Sequence, residues 1–396
     1  MFISHLQLTD FRSWPELTVE CGPGITVFAG PNGFGKTNII ESVVYLSQLS
    51  SHRVSRDEAL VRAGSQFARV EATVVNGDRQ LTEALVIKPH AANVARLSNS
   101  PVQPKQLLGV VRAVLFSPED VSLVRGDPDG RRQLIDAIIA QVTPRLGGVR
   151  VDYDRALRQR NALLKTLQNQ RRAGVLDDAA VASLDGWDMQ LARYGSELVH
   201  ARARLVETLS PLFTSSYGQI APHSVPASVS YITRDIGADS QETEALLLTA
   251  FADHRRAEIE AGRTLIGPHR DDVAVQLGSQ PAKGYASHGE TWSLALALKA
   301  AVFRSLPGPQ PILLLDDVFS ELDVQRRTAL TGLMEEAEQV LITTATPEDL
   351  PFSAPATAAS LAYRRFDVDK RDGISRLAAP APDSQPAPTP AEDANG

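Results

Sequence analysis

The chain carries Gly30-Pro31-Asn32-Gly33-Phe34-Gly35-Lys36-Thr37 between an apolar run, Ile25 to Ala29, and a stretch in which Ile39, Ile40, Val43 and Val44 recur at helical spacing. This G-x-x-x-x-G-K-[ST] string restricts the fold more than any other feature, because a strand must end in a glycine-rich turn that opens directly into a helix. Such a loop aims backbone N–H groups and a helix N-terminus at phosphates, and its glycines let the backbone approach where a Cβ would clash. Lys36 would reach the β- and γ-phosphates of ATP, and Thr37 would ligate Mg²⁺. Gly30 to Thr37, with Asn38 behind them, are the candidate nucleotide contacts, and Lys36 is also a candidate catalytic group.

At 396 residues the chain exceeds one ordinary core, so a main domain with a second lobe is expected. No stretch approaches a membrane span, and Ser4, His5, Gln7, Thr9 and Asp10 interrupt any signal-peptide pattern. With a single cysteine, Cys21, no internal disulfide forms, which agrees with a cytoplasmic location. The net charge of −7 argues against coating nucleic acid by bulk charge, so any such contact is local. Arg145, Arg150, Arg155, Arg158, Arg160, Lys165, Arg171 and Arg172, set against Asp152 and Asp154, leave six positive charges in one segment. A solvated helix face is the competing reading of that segment.

Strands are expected at Phe2 to Leu8 and Leu17 to Val19 around a turn at Ser13-Trp14-Pro15, then at 68–75, 81–87 and 113–116. From about Val121 to Asp253 the period is helical, with helices starting at Arg131 and covering 153–170 and 184–212. The α/β pattern returns with strands at 273–277, 312–315 and 340–344 and helices at 290–306 and 324–338. The expected fold is α/β: an ATPase head with a mixed sheet from residues 1–120 and 264–370, and an inserted helical lobe from 121–263 with a short hairpin. The Pro- and Ala-rich residues 377–396 cannot build a core and are expected to be disordered.

Ile312-Leu313-Leu314-Leu315 is an apolar strand that ends at Asp316-Asp317, the arrangement that delivers a carboxylate beside a phosphate loop. Asp316 is the candidate Mg²⁺ ligand alongside Thr37, and Asp317 the candidate catalytic group that orients or deprotonates water. Ser320-Glu321-Leu322-Asp323 resembles the D-loop of ABC-type ATPases, and Tyr285 to Glu290 resembles their signature motif. Ser287, Gly289 and Glu290 open a helix whose free N–H groups would meet a γ-phosphate, which in ABC-type ATPases belongs to the opposite subunit.

The order of these motifs, with Leu8-Thr9-Asp10-Phe11-Arg12, Ser51-His52-Arg53, Phe116 to Asp120, Gln159 to Lys165 and Gly267 to Asp272, resembles the RecF family of bacterial recombination-mediator ATPases, relatives of SMC heads, over roughly residues 1–370. The resemblance implies a head that dimerises on ATP and binds DNA at gaps and single/double-strand junctions. It also implies work with RecR and RecO, help in loading RecA, and a place in DNA repair, replication and the SOS response. By position it puts Arg12 near the nucleotide and Ser117 to Glu119 in the Q-loop region. Thr344 falls where a transporter ATPase carries its switch histidine. Thr291-Trp292 departs from the commonest family form. For DNA phosphates the candidates are Arg131, Arg132, Arg155, Arg158 and Arg160.

The alternative reading is the ATPase subunit of an ABC-type transporter, which would offer a histidine near Thr344 and a shorter helical lobe. A GTPase would carry N-K-x-D, and no such string occurs. A long-armed SMC motor would need hundreds of heptad residues, which this length excludes.

Overall fold

The computed structural model describes residues 1–176, 178–234, 236–351 and 362–378. Strands are numbered in chain order. The central sheet contains β3 (Gly24–Ala29), β8 (Ala113–Phe116), β12 (Ile312–Asp316), β13 (Gln339–Thr344), β14 (Tyr363–Arg371) and β15 (Ile374–Leu377), ordered β15-β14-β3-β13-β12-β8. Neighbours from β14 to β8 run parallel, and β15 is antiparallel to β14. Every residue of β3, β8, β12 and β13 is buried, the continuous apolar reading of strands covered on both faces.

Alternate residues of these strands feed two cores. Val27, Val114, Leu313, Leu315 and Ile342 face one core, shared with the helices Leu184–Ile220 and His288–Ser305. Phe28, Leu115, Ile312, Leu314 and Leu341 face the other, shared with the helix Lys36–Gln48 and the antiparallel sheet. That second sheet comprises β1 (Phe2–Phe11), β2 (Trp14–Glu20), β4 (Ala68–Asn76), β5 (Arg79–Ile87), β6 (Val94–Leu97) and β7 (Ser100–Val102). Its order is β2-β1-β4-β5-β6-β7.

The expected turn at Ser13-Trp14-Pro15 is shorter in the structure: Arg12 and Ser13 turn, and Trp14 already pairs with Phe11. Proline is tolerated there because β2 is an edge strand, where a missing N–H costs no ladder bond. Leu377, expected to begin the tail, closes β15, while the rest of the expected tail from residue 379 lies outside the described residues.

The helices Pro128–Val142, Pro144–Arg172, Leu184–Ile220 and Ser240–Ala261 form the helical region. The third, which contains Pro211, runs past its expected end at Leu212 because Phe213, Tyr217 and Ile220 continue its buried face. At about 1.5 Å per residue the helical hairpin is roughly 44 to 56 Å long on its two arms. At the fourth helix Asp239 accepts from Glu242 N–H at the start and Gly262 turns left-handed at the end. A third sheet pairs β9 (Ala227–Ile232) with β10 (Asp272–Leu277), which also pairs β11 (Gln280–Pro281). The expected division at 263/264 therefore runs through this sheet. No helix among the described residues is long and apolar enough to cross a membrane.

Candidate functional site

β3 ends at Ala29, and the loop that follows becomes helical at Lys36, with Gly35 at φ 98° as the cap. A Cβ on Gly35 would lie 2.4 Å from Ser375 Oγ and 2.6 Å from Ser13 Oγ, so only glycine fits. Lys36 Nζ folds back to donate to the carbonyls of Gly30 (2.6 Å) and Pro31 (3.0 Å). Burial holds its pKa below the usual lysine value, opposed by the nearby Asp317 and Asp316 carboxylates.

Thr37 Oγ1 donates to Asp316 Oδ1 at 2.9 Å, and Thr343 Oγ1 donates to the same oxygen. Burial raises the pKa of Asp316, and the two hydroxyl contacts oppose the rise. A hydroxyl and a buried carboxylate side by side supply the oxygen donors that Mg²⁺ takes, and Mg²⁺ usually completes its shell with waters and phosphate oxygens. Among the described residues no group of three His, Cys, Asp or Glu side chains would hold a metal.

Asp317 sits half-buried in the left-handed region, φ 50° and ψ 25°, which aspartate tolerates better than most residues. Its N–H donates to Thr343 O and lies equally close to Thr343 Oγ1, 3.1 Å in each case, while Oδ1 accepts from Ala345 N–H at 3.4 Å. The strand end therefore aims two successive carboxylates differently, Asp316 toward Thr37 and Asp317 toward the loop after β13. Thr344 donates to Thr346 O at 3.1 Å.

Arg12 is anchored on the helix that follows the phosphate loop. Its guanidinium chelates the fully buried Glu41 at 2.9 and 2.6 Å and donates to Ala59 O at 2.7 Å. It thus ties the end of β1 to the helix after the phosphate loop and leaves one N–H on each terminal guanidinium nitrogen without a partner in these three contacts. Arg53, given no role from the sequence, is exposed and reaches Asn38 Oδ1 at 3.3 Å and Glu41 at 3.6 Å.

Ser287 caps the helix His288–Ser305 in a reciprocal box: Glu290 N–H donates to Ser287 Oγ (3.2 Å) and Ser287 N–H to Glu290 Oε2 (2.8 Å). Those contacts hold the Glu290 carboxyl below its usual range. Arg326 joins this cap to the D-loop, donating to Gly289 O (2.7 Å), Ser293 Oγ (3.0 Å) and Asp323. A Cβ on Gly289 would meet that guanidinium at 2.8 Å. Thr291, the departure from the family form, accepts from Arg125 Nε at 3.1 Å, and Trp292 is buried. In the Q-loop region Ser117 is buried, and Asp120 pairs with the buried Lys299 at 2.9 Å.

Three of the five arginines offered for DNA phosphates are committed inside the protein. Arg160 is fully buried, donating to Asp188 (2.6 Å), Glu258 (2.6 Å) and Thr264 (2.9 Å), with the Phe251 ring 4.8 Å away. Arg131 is buried against both oxygens of Asp272, at 2.8 and 2.9 Å, and Arg132 is held by Asp129 and the Asp271 carbonyl. The local charge count missed acids that folding brings from far along the chain: Glu197 to Arg145, Asp136 to Arg150 and Glu260 to Arg171. Arg155 and Arg158 stay exposed, as do Lys165 and Arg172.

Asn161 of the Gln159–Lys165 string and His269 of the Gly267–Asp272 string each hold a residue outside their own string. Asn161 Oδ1 accepts from Thr264 N–H (2.7 Å) and Oγ1 (2.8 Å), while Tyr153 and His269 meet at 2.8 Å. Burial lowers the His269 pKa to about 4.

Residues 2–357 match the family described as RecF/RecN/SMC N terminal domain. Among solved structures, the recombination mediator protein RecF of the RecFOR pathway superposes with a TM-score of 0.82 in one form and, with ATP, 0.81. Each is 24% identical, with 96% of this chain and 98% of that chain covered. A Smc head with an extended coiled coil from Pyrococcus furiosus, bound to a domain of ScpA, gives 0.53 at 19% identity, covering 95% of this chain and 96% of that one. With its phosphate loop, its Asp316 strand end and its mixed sheet placed as described, the chain belongs to the RecF/RecN/SMC N-terminal domain family.

Proposed function

We propose that this chain is an ATP-dependent DNA-binding protein of recombinational repair. ATP with Mg²⁺ is held by the Gly30–Thr37 loop and Asp316, and two copies close on it, each offering its Ser287 cap to the other's γ-phosphate. Asp317 orients the attacking water. Being one methylene shorter than glutamate, it reaches that water less well, so turnover is slow and serves release. The observation that carries the reading is the 2.9 Å contact between Thr37 and Asp316 beside a Lys36 poised on its own loop. The solved RecF structures of the RecFOR pathway, one of them with ATP, support ATP binding and recombination mediation; RecR and RecO as partners, gapped duplex as the DNA and RecA loading as the outcome are part of the same proposal.

For the DNA surface the helix Pro144–Arg172 supplies the argument. Arg158, Lys165 and Arg172 are exposed and seven residues apart, with Arg155 one turn before, so they form one basic stripe. Such cations position a duplex through its phosphates without reading sequence. Sedimentation with and without ATP and Mg²⁺ tests the mechanism: wild type dimerises on ATP, and Lys36→Met and Ser287→Arg do not. A wild type that stays monomeric at micromolar concentration with ATP defeats it.

A further inference from the structure

The carbonyls of the phosphate loop are held from outside by side chains that come from far along the chain. Lys370 Nζ donates to Gly33 O at 2.9 Å, Ser375 Oγ to Phe34 O at 2.6 Å, and Trp14 Nε1 to Gly35 O at 3.0 Å. Ser13 Oγ lies 2.6 Å from Ser375 Oγ and accepts from Asn38 Nδ2 at 2.9 Å. With one proton on each hydroxyl, the balanced arrangement runs from Asn38 to Ser13, to Ser375, to the Phe34 carbonyl. Ser375 and Trp14 are fully buried, so their contacts are shielded from water, whereas the Lys370 contact lies at the surface.

In a trans peptide the C=O of one residue and the N–H of the next point in opposite directions, and no cis bond occurs among the described residues. Three consecutive carbonyls pinned toward the β1–β2 turn and the β14–β15 hairpin therefore turn the N–H groups of Phe34, Gly35 and Lys36 the other way. Successive N–H groups aimed at one concavity make an anion nest. An unsupported glycine-rich loop would lose entropy when a phosphate ordered it, whereas a loop held in shape beforehand would not.

The geometry points to Trp14, Lys370 and Ser375 as positioning residues that preorganise the loop for the phosphates of a nucleoside triphosphate. This rests on the reading of the loop as the ATP site and adds that the last hairpin of the described chain helps set its affinity. The braces act on the loop's shape in the free protein, so their loss weakens capture of the phosphate chain without touching Asp316 or Asp317.

The test is ATP titration with Mg²⁺ of wild type, Lys370→Met, Lys370→Arg and Ser375→Ala, with steady-state hydrolysis alongside. Lys370→Met and Ser375→Ala are each expected to raise the Kd and KM for ATP about 3- to 10-fold while kcat moves less than about twofold, the effect of losing about one net hydrogen bond. Lys370→Arg, which keeps a donor for Gly33 O, is expected to restore affinity. Lys370 is half-exposed on a hairpin surface, so its variants decide the matter even if Ser375→Ala misfolds. Unchanged Kd in Lys370→Met overturns the proposal, as does a fall in kcat with KM held. Failure of wild type to bind ATP overturns the reading of the loop itself, a result distinct from equal binding by all four proteins.

Discussion

Thr37 Oγ1 and Asp316 Oδ1 meet at 2.9 Å across 279 residues of sequence. Two motifs that are only suggestive when apart become one oxygen-lined corner when β3 and β12 flank β13. If both side chains serve one Mg²⁺, removing either removes the same interaction. Thr37→Val and Asp316→Asn are each expected to cut ATP hydrolysis by about 10²-fold or more, and the double variant by little beyond the worse single. Multiplicative losses in the rate assay would separate the two roles.

Arg160 illustrates how a charge can mislead when read along the chain alone. With Asp188 and Glu258 left unpaired in the interior, Arg160→Met is expected to cost about 3 to 5 kcal/mol in urea unfolding. The same substitution should leave the salt dependence of DNA binding unaltered in the fraction that remains folded. A weaker salt slope with intact stability would place Arg160 at the DNA after all.

The exposed stripe predicts the opposite pattern. Replacing Arg158 and Lys165 together by alanine should lower the slope of log K against log salt by about 2, roughly one phosphate per cation, with stability changed by less than about 1 kcal/mol. An unchanged slope moves the DNA surface off this helix.

What the sequence disclosed follows from the range of the interactions involved. The phosphate loop, the Asp316 strand and the Ser287 cap are short strings whose geometry is local, so spacing and apolar periodicity placed them on the right elements. Arg131 and Arg160 were misjudged because their partners, Asp272 and Glu258, are neighbours only after folding. The braces Trp14 and Ser375 left no signal, since a serine in a short C-terminal strand is indistinguishable from any other until it meets Phe34 O. β9 escaped notice because the segment around it is helical, and the strand finds its partner only in β10.

Arg326 connects the signature helix to the D-loop through Gly289, Ser293 and Asp323, so one side chain ties the two edges of the proposed dimer face together. Tyr285 and Val324, 68% and 80% exposed, flank that junction as large apolar side chains open to solvent. Arg326→Ala is expected to leave ATP affinity of the monomer within about twofold and to weaken ATP-dependent dimerisation about tenfold or more, the loss of two or three charge-assisted contacts. Equilibrium sedimentation at several ATP concentrations measures both, and undiminished association would make the link dispensable.

Glu83 carries the last prediction. It lies on β5, fully buried, and neither carboxyl oxygen has a hydrogen-bond partner among the described residues. Burial raises its pKa well above the usual 4.5, so the folded protein keeps the proton that the unfolded chain releases. Below about pH 4.5 both states are protonated and the group has no effect on stability; as the pH rises toward the folded pKa, the unfolded state gains by ionising and stability falls, by up to about 1.4 kcal/mol per pH unit. Glu83→Leu removes both the unsatisfied oxygens and the titration. The variant should be more stable at pH 7 by about 1 to 3 kcal/mol, and the gain should shrink as the pH is lowered toward 5. Urea unfolding at several pH values decides it, because a variant whose advantage is constant from pH 5 to 8 would mean that Glu83 does not hold its proton in the folded state.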